Sequence, residues 1–395
     1  MADTTQDSSS AKVALWNDPR YRALFFQLLL VAVVIWLFWS LVDNTITNLQ
    51  KQNIASGFGF LETTAGFGII TTLIPYSETS SYGRAFVVGL LNTVLIAFIG
   101  IILATIVGFI VGIARLAPNW VIRKMATVYV ETMRNIPLLL QIFFWYFAVL
   151  RSVPGPRDSI VILDAFFLNN RGLIMPRALF AEGSNVVVIA LLVGIVAAWA
   201  VKRWATKRQM ATGQQFPVIW TALGLILGLP LISFFVMGAP ISWEYAELKG
   251  FSFVGGLHII PEFIALLVAL SLSRAAFIAA LVRAGISAVR HGQTEAAFSL
   301  GVKPGHTLRL IIIPQALRVI IPPLTSQYLN LTKNSSLAVA IAYPDLVSVF
   351  AGTVLNQTGQ AVEVLLMTMA VYLTLSILTS IFMNWYNARK ALVER

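Results

Sequence analysis

The sequence predicts an all-α integral membrane protein of about eight transmembrane helices, and three observations carry that prediction. Hydrophobic residues make up 58% of the 395 and charged residues only 11%, whereas an average soluble domain is roughly 25% charged. Apolar runs recur at about the 20-residue length that a helix needs to cross a bilayer. The 28 Lys and Arg exceed the 17 Asp and Glu, for a formal charge of +11, and most of them collect between alternate runs, as at cytoplasmic helix ends. The basic excess therefore reads as membrane topology and not as nucleic-acid binding. With no cysteine, disulfides and thiolate metal sites are excluded, and His258, His291 and His306 are too scattered to predict a metal site.

Residues 1–20 read as a polar cytoplasmic tail, too polar for a cleavable signal peptide. Ala23 to Val42 is the first span, and Asp43 to Gly83 an outer loop rich in Thr, Ser, Asn and Gly. Ala85 to Ile113 is the second span, ending at Arg115, Arg123 and Lys124, and Thr127 to Leu150 the third. Arg151 to Gly183 leaves the membrane, because Pro154, Pro156 and Pro176 break any long helix. Ser184 to Val201 is the fourth span, stopped by Lys202, Arg203, Lys207 and Arg208. Pro217 to Met237 is the fifth; an outer segment, Gly238 to Gly256, leads to the sixth at about Leu257 to Val282. Leu310 to Leu331 is the seventh, bent by Pro314, Pro322 and Pro323, whose freed carbonyls neighbouring helices can satisfy. Ser335 to Gln360 is an outer segment with a short interfacial helix near Tyr343 to Leu346, and Val362 to Tyr386 is the eighth span. Eight spans put both termini on one side, and the Lys and Arg distribution makes that side cytoplasmic.

Between spans six and seven, Glu295 to Pro314 reads EAAFSLGVKPGHTLRLIIIP. Glu295 to Leu300 favours about two helical turns, and Gly301 suits the left-handed residue that ends a helix. Lys303 to His306 makes a polar turn before the chain becomes apolar again, so the motif sits at a membrane boundary. The order and spacing, EAA, three residues, glycine, nine residues, I-x-L-P, resemble the signature of permease subunits of ATP-binding cassette importers, with Ile313 in place of the usual leucine. Within that family the chain looks most like the polar amino-acid uptake permeases, through Leu90 to Leu116, Tyr129 to Tyr146 with its Arg134-Asn135-Ile136-Pro137 turn, Ala276 to Ile286 and Gln315 to Pro344.

The resemblance implies three regions: residues 1–84, an N-terminal tail, first helix and outer loop; residues 85–388, a permease transmembrane domain; and residues 389–395, a cytoplasmic tail. An insertion at about 151–257 interrupts the second region, and removing it leaves the five-helix type I importer core. The insertion and size resemble the longer permease of general L-amino-acid transporters, which pairs with a second, related permease. It further implies a bacterial inner-membrane subunit that translocates L-amino acids brought by a periplasmic binding protein. Its coupling helix contacts an ATPase through Glu295, Ala296, Ala297, Gly301 and Pro314. No G-x-x-x-x-G-K-[ST] occurs in this chain, so ATP and Mg are assigned to the partner ATPase, with no cofactor or catalytic residue here.

Ionisable groups inside spans are costly in lipid and usually face a cavity or one another. Glu131 and Arg134, three apart, can share a helix face; Arg274 and Arg318 lie in spans six and seven. A substrate amino acid brings a carboxylate and an ammonium, so the candidate path is Glu131, Arg134, Gln141, Arg274 and Asn330. The structural alternative is a Glu131 to Arg134 ion pair and a snorkelling Arg318. Ala280 stands where the family often has an acid, which argues against a cationic side chain on the substrate. The competing function is an ion-coupled secondary transporter of small polar solutes, which would show related halves and an acid pair within the membrane; neither is evident. Lipid is the remaining partner, and nucleic acid is not one.

Overall fold

The computed structural model describes residues 19–51 and 57–390; of the expected tails, 1–20 and 389–395, residues 1–18 and 391–395 lie outside the described residues. Among the described residues, seven helices are long and apolar enough to cross a membrane, and eight if one bent pair is a single span. Helix α1, Pro19–Lys51, exposes nearly all its described side chains, Trp36 and Trp39 included, as a helix solvated by lipid does. In the loop that follows, Phe60 is buried against Tyr82 and Phe350.

Helix α2, Tyr82–Ala114, starts at Ser81, whose hydroxyl accepts the Arg84 N–H. Helix α3, Trp120–Asn135, starts at Asn119, whose Oδ1 accepts from Val121 N at 2.9 Å and Ile122 N at 3.3 Å. The expected third span, Thr127 to Leu150, does not run straight. Pro137 offers no N–H and forces Ile136 out of the helical region, and α4, Leu138–Phe143, together with the turns after it, departs from α3 at 109°.

The two outer segments around spans four and five form β structure. Strands β1 (Ile160–Ile162), β2 (Phe166–Asn169), β3 (Gly172–Met175) and β4 (Arg177–Phe180) precede α5, Ser184–Thr212. After it come α6, Val218–Leu223, and α7, Leu229–Val236. Strands β5 (Ile241–Glu244), β6 (Glu247–Lys249), β7 (Ser252–Val254) and β8 (Leu257–Ile259) follow. One antiparallel sheet has the order β1-β2-β3-β8, and the pairs β4-β5 and β6-β7 stand beside it. The register Phe180↔Ile241 continues the α5–α7 hairpin outward, and Gly194 meets the Leu225 carbonyl where the hairpin closes. The expected start of span six is corrected: Leu257–Ile259 is spent on β3, and α8, Pro261–Ser287, begins on its proline.

The core is the packing of α2 on α8. Lipid is as apolar as the helix faces, so association rests on close contact more than on leaving water. A Cβ on Gly108 would lie 2.6 Å from Ile278 Cβ, and one on Gly112 2.6 Å from Val282 Cβ. These two contacts also make α2 and α8 parallel, ending together.

Beyond α8 the chain forms α9, His291–Ser299, and α10, Pro304–Thr307. A π-wound stretch, Leu308–Ile312, leads into α11, Ile313–Asn334, and Pro304–Ile341 is a single 38-residue span containing Pro314, Pro322 and Pro323. Tyr343, Asp345 and Leu346, expected in an interfacial helix, are fully buried. The helical turns come after them, Val347–Val354 and α12, Leu355–Thr358, before α13, Ala361–Lys390.

Asp345, in this outer segment, accepts from Ser348 N at 2.8 Å and from the Tyr372 hydroxyl at 3.2 Å. Burial raises its carboxyl from 3.8 to about 7. The folded chain therefore holds a proton that the unfolded chain has lost, so stability declines as pH climbs between these values, by up to about 1.4 kcal/mol per unit. Asp345→Asn should flatten that slope, and thermal unfolding at pH 5 and pH 8 checks it; equal slopes for both proteins would refute the assignment.

Candidate functional site

The end of the bundle where α2 and α8 finish carries two features. The first is the segment around α9. Its C-terminus closes with Val302 N–H donating to Ala297 O at 3.0 Å and Gly301 N–H to Phe298 O at 2.9 Å, the paired bonds of a Schellman motif. That geometry requires the left-handed residue that Gly301 provides at φ +70. Ala297 and Thr307 are the buried residues of the segment, whereas Glu295, Ala296 and Pro314 are exposed. Glu295 faces His291 Nδ1 at 3.0 Å. Gln315 on α11 donates to Gln293 on α9 at 3.2 Å, beside a cavity of about 350 Å³ lined in part by Arg290 and Arg318. Phe298 is 50% exposed and Leu300 82%. This apolar pair on an otherwise polar helix was not singled out from sequence, although the sequence places both inside the motif.

The second feature is a cavity of about 410 Å³ lined by Arg115, Glu131, Arg134, Ala280, Arg283, Ala284 and Ser287. Val130 packs against Ala276 and Ala279, and the Tyr129 hydroxyl donates to Leu272 O at 2.7 Å, which seats α3 on α8. Glu131 does not pair with Arg134. It meets Arg115 Nη2 at 3.4 Å, with side-chain exposures of 55% for the acid and 6% for the base. Burial first, then the Arg283 charge, lowers the Arg115 pKa from its ordinary value, while Glu131 opposes the shift; a guanidinium still stays protonated at neutral pH. Arg134 and Arg274 each lie 5.3 Å from the centre of the Phe277 ring, within cation–π range, and the Arg274 Nε is buried without a hydrogen-bond partner.

Of the five path candidates, the cavity holds Glu131 and Arg134, and Arg274 shares the Phe277 ring with Arg134 outside the cavity lining. Gln141 is used elsewhere: its amide donates to Met133 O and Ile136 O, both at 2.9 Å, carbonyls left open by the break at Pro137. Asn330 is exposed on α11 and does not line the cavity. Arg115 was read only as flanking charge and Arg283 was not singled out; the parallel ends of α2 and α8 bring both in.

Residues 186–392 match the family model of the binding-protein-dependent transport system inner membrane component. The chain belongs to that family. The match includes α9 and its Schellman turn. The sequence is 54% identical over 378 residues to the general L-amino acid transport system permease protein AapQ of Rhizobium johnstonii, covering 96% of this chain and 94% of that one. It is 42% identical over 413 residues to the glutamate/glutamine/aspartate/asparagine transport system permease protein BztB of Rhodobacter capsulatus, covering 96% of each. Membership in this transport family favours the binding-protein-dependent importer over the ion-coupled alternative.

Proposed function

We propose that this chain is the membrane-spanning permease subunit of an ATP-driven importer of L-amino acids. A periplasmic binding protein delivers the substrate, two ATPase subunits hold ATP and Mg, and a second, related permease completes the pathway. Both termini are cytoplasmic. Residues 85–388 form the permease domain around a five-helix core, and about 151–257 is the insertion. The observation that carries the reading is α9, a nine-residue helix between two spans that, with the cap residue after it, presents Phe298 and Leu300 outward. An apolar pair standing in solvent at a bundle end suits burial in a groove of a partner. Glu295, Ala296, Ala297, Gly301 and Pro314 form the coupling segment around it.

The cavity beside Glu131 and Arg134 supports passage of a zwitterion. Three guanidiniums offer fork-shaped contacts to a carboxylate, and Glu131, half in solvent, offers one to an ammonium. Arg274 supports the same path from behind Phe277, and Gln141 acts on it by holding the α3–α4 bend.

The test is ATP hydrolysis by the reconstituted complex with its binding protein. Hydrolysis should rise with a panel of L-amino acids, and uptake should survive collapse of the ion gradients. Uptake that follows the gradient and ignores ATP would reject the reading.

A further inference from the structure

We propose that a basic hollow between the end of α2, the first turns of α3 and the end of α8 binds the phosphate of an anionic phospholipid. The hollow is a cavity of about 250 Å³ lined by Arg115, Trp120, Arg123, Lys124, Thr127 and Arg283. Four of these six residues are cations and none is acidic. Arg115 carries the strongest indication: its side chain is 94% buried and, among the described residues, its Nε has no hydrogen-bond partner. A buried donor left open is expensive unless a ligand or water meets it. Among the described residues its one ion pair, at a long 3.4 Å, is with Glu131, which lines the neighbouring cavity and not this one. Arg123 is held in place by a bond from Nη1 to Ala117 O at 3.1 Å. Lys124 and Arg283 make no ion pair among the described residues. Phosphate oxygens would satisfy several of these donors together.

The adjoining face of α3 decides between a lipid and a soluble anion. Trp120, Arg123, Lys124 and Thr127 lie along one strip of the helix. Val121, Met125 and Val128, at i, i+4 and i+7, form the next strip, and all three are exposed, as is Trp120 at 65%. Cations and an apolar lane therefore run side by side, with an indole at the boundary. A phospholipid fits both, its phosphate among the cations and an acyl chain along the lane. A free anion uses only the first. Basic pockets between spans are where anionic headgroups are held. The hollow shares Arg115 and Arg283 with the neighbouring cavity, so the test varies Lys124, which lines this one alone of the two.

The full transporter complex, exchanged into micelles with equal phosphatidylglycerol and phosphatidylcholine of the same chains, is analysed by native mass spectrometry. Phosphatidylglycerol should be retained over phosphatidylcholine, and Lys124→Gln should reduce that preference about fivefold, the factor for about 1 kcal/mol per basic residue near an anionic surface. Lys124 is exposed, so the variant should unfold at the wild-type temperature, and Lys124→Arg should retain the preference. Inorganic phosphate in excess should leave the lipid in place. Displacement by phosphate alone would assign the hollow to a soluble anion and overturn the lipid. Equal retention of both lipids, or a Lys124→Gln preference equal to wild type, would overturn it as well. So would disulfide crosslinking of Met125→Cys to another permease subunit, which would place protein and not lipid on the apolar lane.

Discussion

Gly301→Val should lower substrate-stimulated ATP hydrolysis by the assembled transporter at least about tenfold, and Gly301→Asn should lower it far less. Among the described residues no heavy atom beyond the adjoining ones lies within 4 Å of a Cβ built on Gly301, so the Cβ that both variants add meets no neighbour and the difference between them lies mainly in the backbone. At φ +70 a β-branched residue is a steric outlier, strained by roughly 1–2 kcal/mol or more, whereas asparagine visits this region routinely. The strain is relieved by opening the bonds from Val302 N to Ala297 O and from Gly301 N to Phe298 O. Helix α9 has nine residues, below the length that is stable by itself, so it has little reserve against that loss. Phe298 and Leu300 then lose their fixed direction. Stimulated hydrolysis should fall at least about tenfold for valine, the factor for 1.4 kcal/mol, and less than about threefold for asparagine, with equal amounts of folded permease in the membrane. Wild-type coupling in the valine variant would show that the turn does not position the segment.

Particular residues show which parts of this architecture can be seen in the sequence. Long apolar runs at bilayer length lead directly to helices, because in lipid a backbone has few other ways to satisfy itself. Gly301 is legible because one residue type suits one conformation. The bend at Pro137 is half legible: the proline marks a helix boundary, but only the fold sets the 109° angle and assigns Gln141 to the open carbonyls. The β structure is invisible for a different reason. Its strands are three or four residues long, too short for alternation to register, and β3 pairs with β8 across two intervening spans. The arginine cavity fails in the same way. Arg115 and Arg283 are far apart in sequence and meet only because Gly108 and Gly112 bring α2 against α8 in parallel. Expecting Glu131 to pair with Arg134 weighed a local spacing of three residues against a long-range partner that spacing cannot reveal.

Gly285→Ala should destabilise the permease and weaken coupling, and both effects should be smaller when it is made in an Ile320→Ala background. Gly285 on α8 faces Ile320 on α11, and an added methyl would overlap Ile320 Cγ1, come within 3.0 Å of its Cδ1 and lie 3.2 Å from the Ala316 carbonyl. Overpacking of this kind costs typically about 1–3 kcal/mol. Truncating buried Ile320 alone leaves a cavity and costs about 2–5 kcal/mol by soluble-protein measure. In the double variant the overlapping Ile320 atoms are gone and the new methyl fills part of the space, so the two losses should fall short of additive by about 1 kcal/mol or more. The same contact matters for transport because of where it lies. Helix α8 ends at Ser287, just before α9, and α11 starts at Ile313, at the close of the coupling segment. Separating α8 from α11 therefore shifts both anchors of α9 without touching Phe298 or Leu300. Unfolding temperatures of the four proteins in the cycle, measured beside stimulated ATP hydrolysis, test both links. Strictly additive unfolding shifts would mean that the glycine is not a close contact; a smaller stability loss in the Ile320→Ala background without a smaller loss of hydrolysis would mean that helix spacing here does not set the position of the coupling segment.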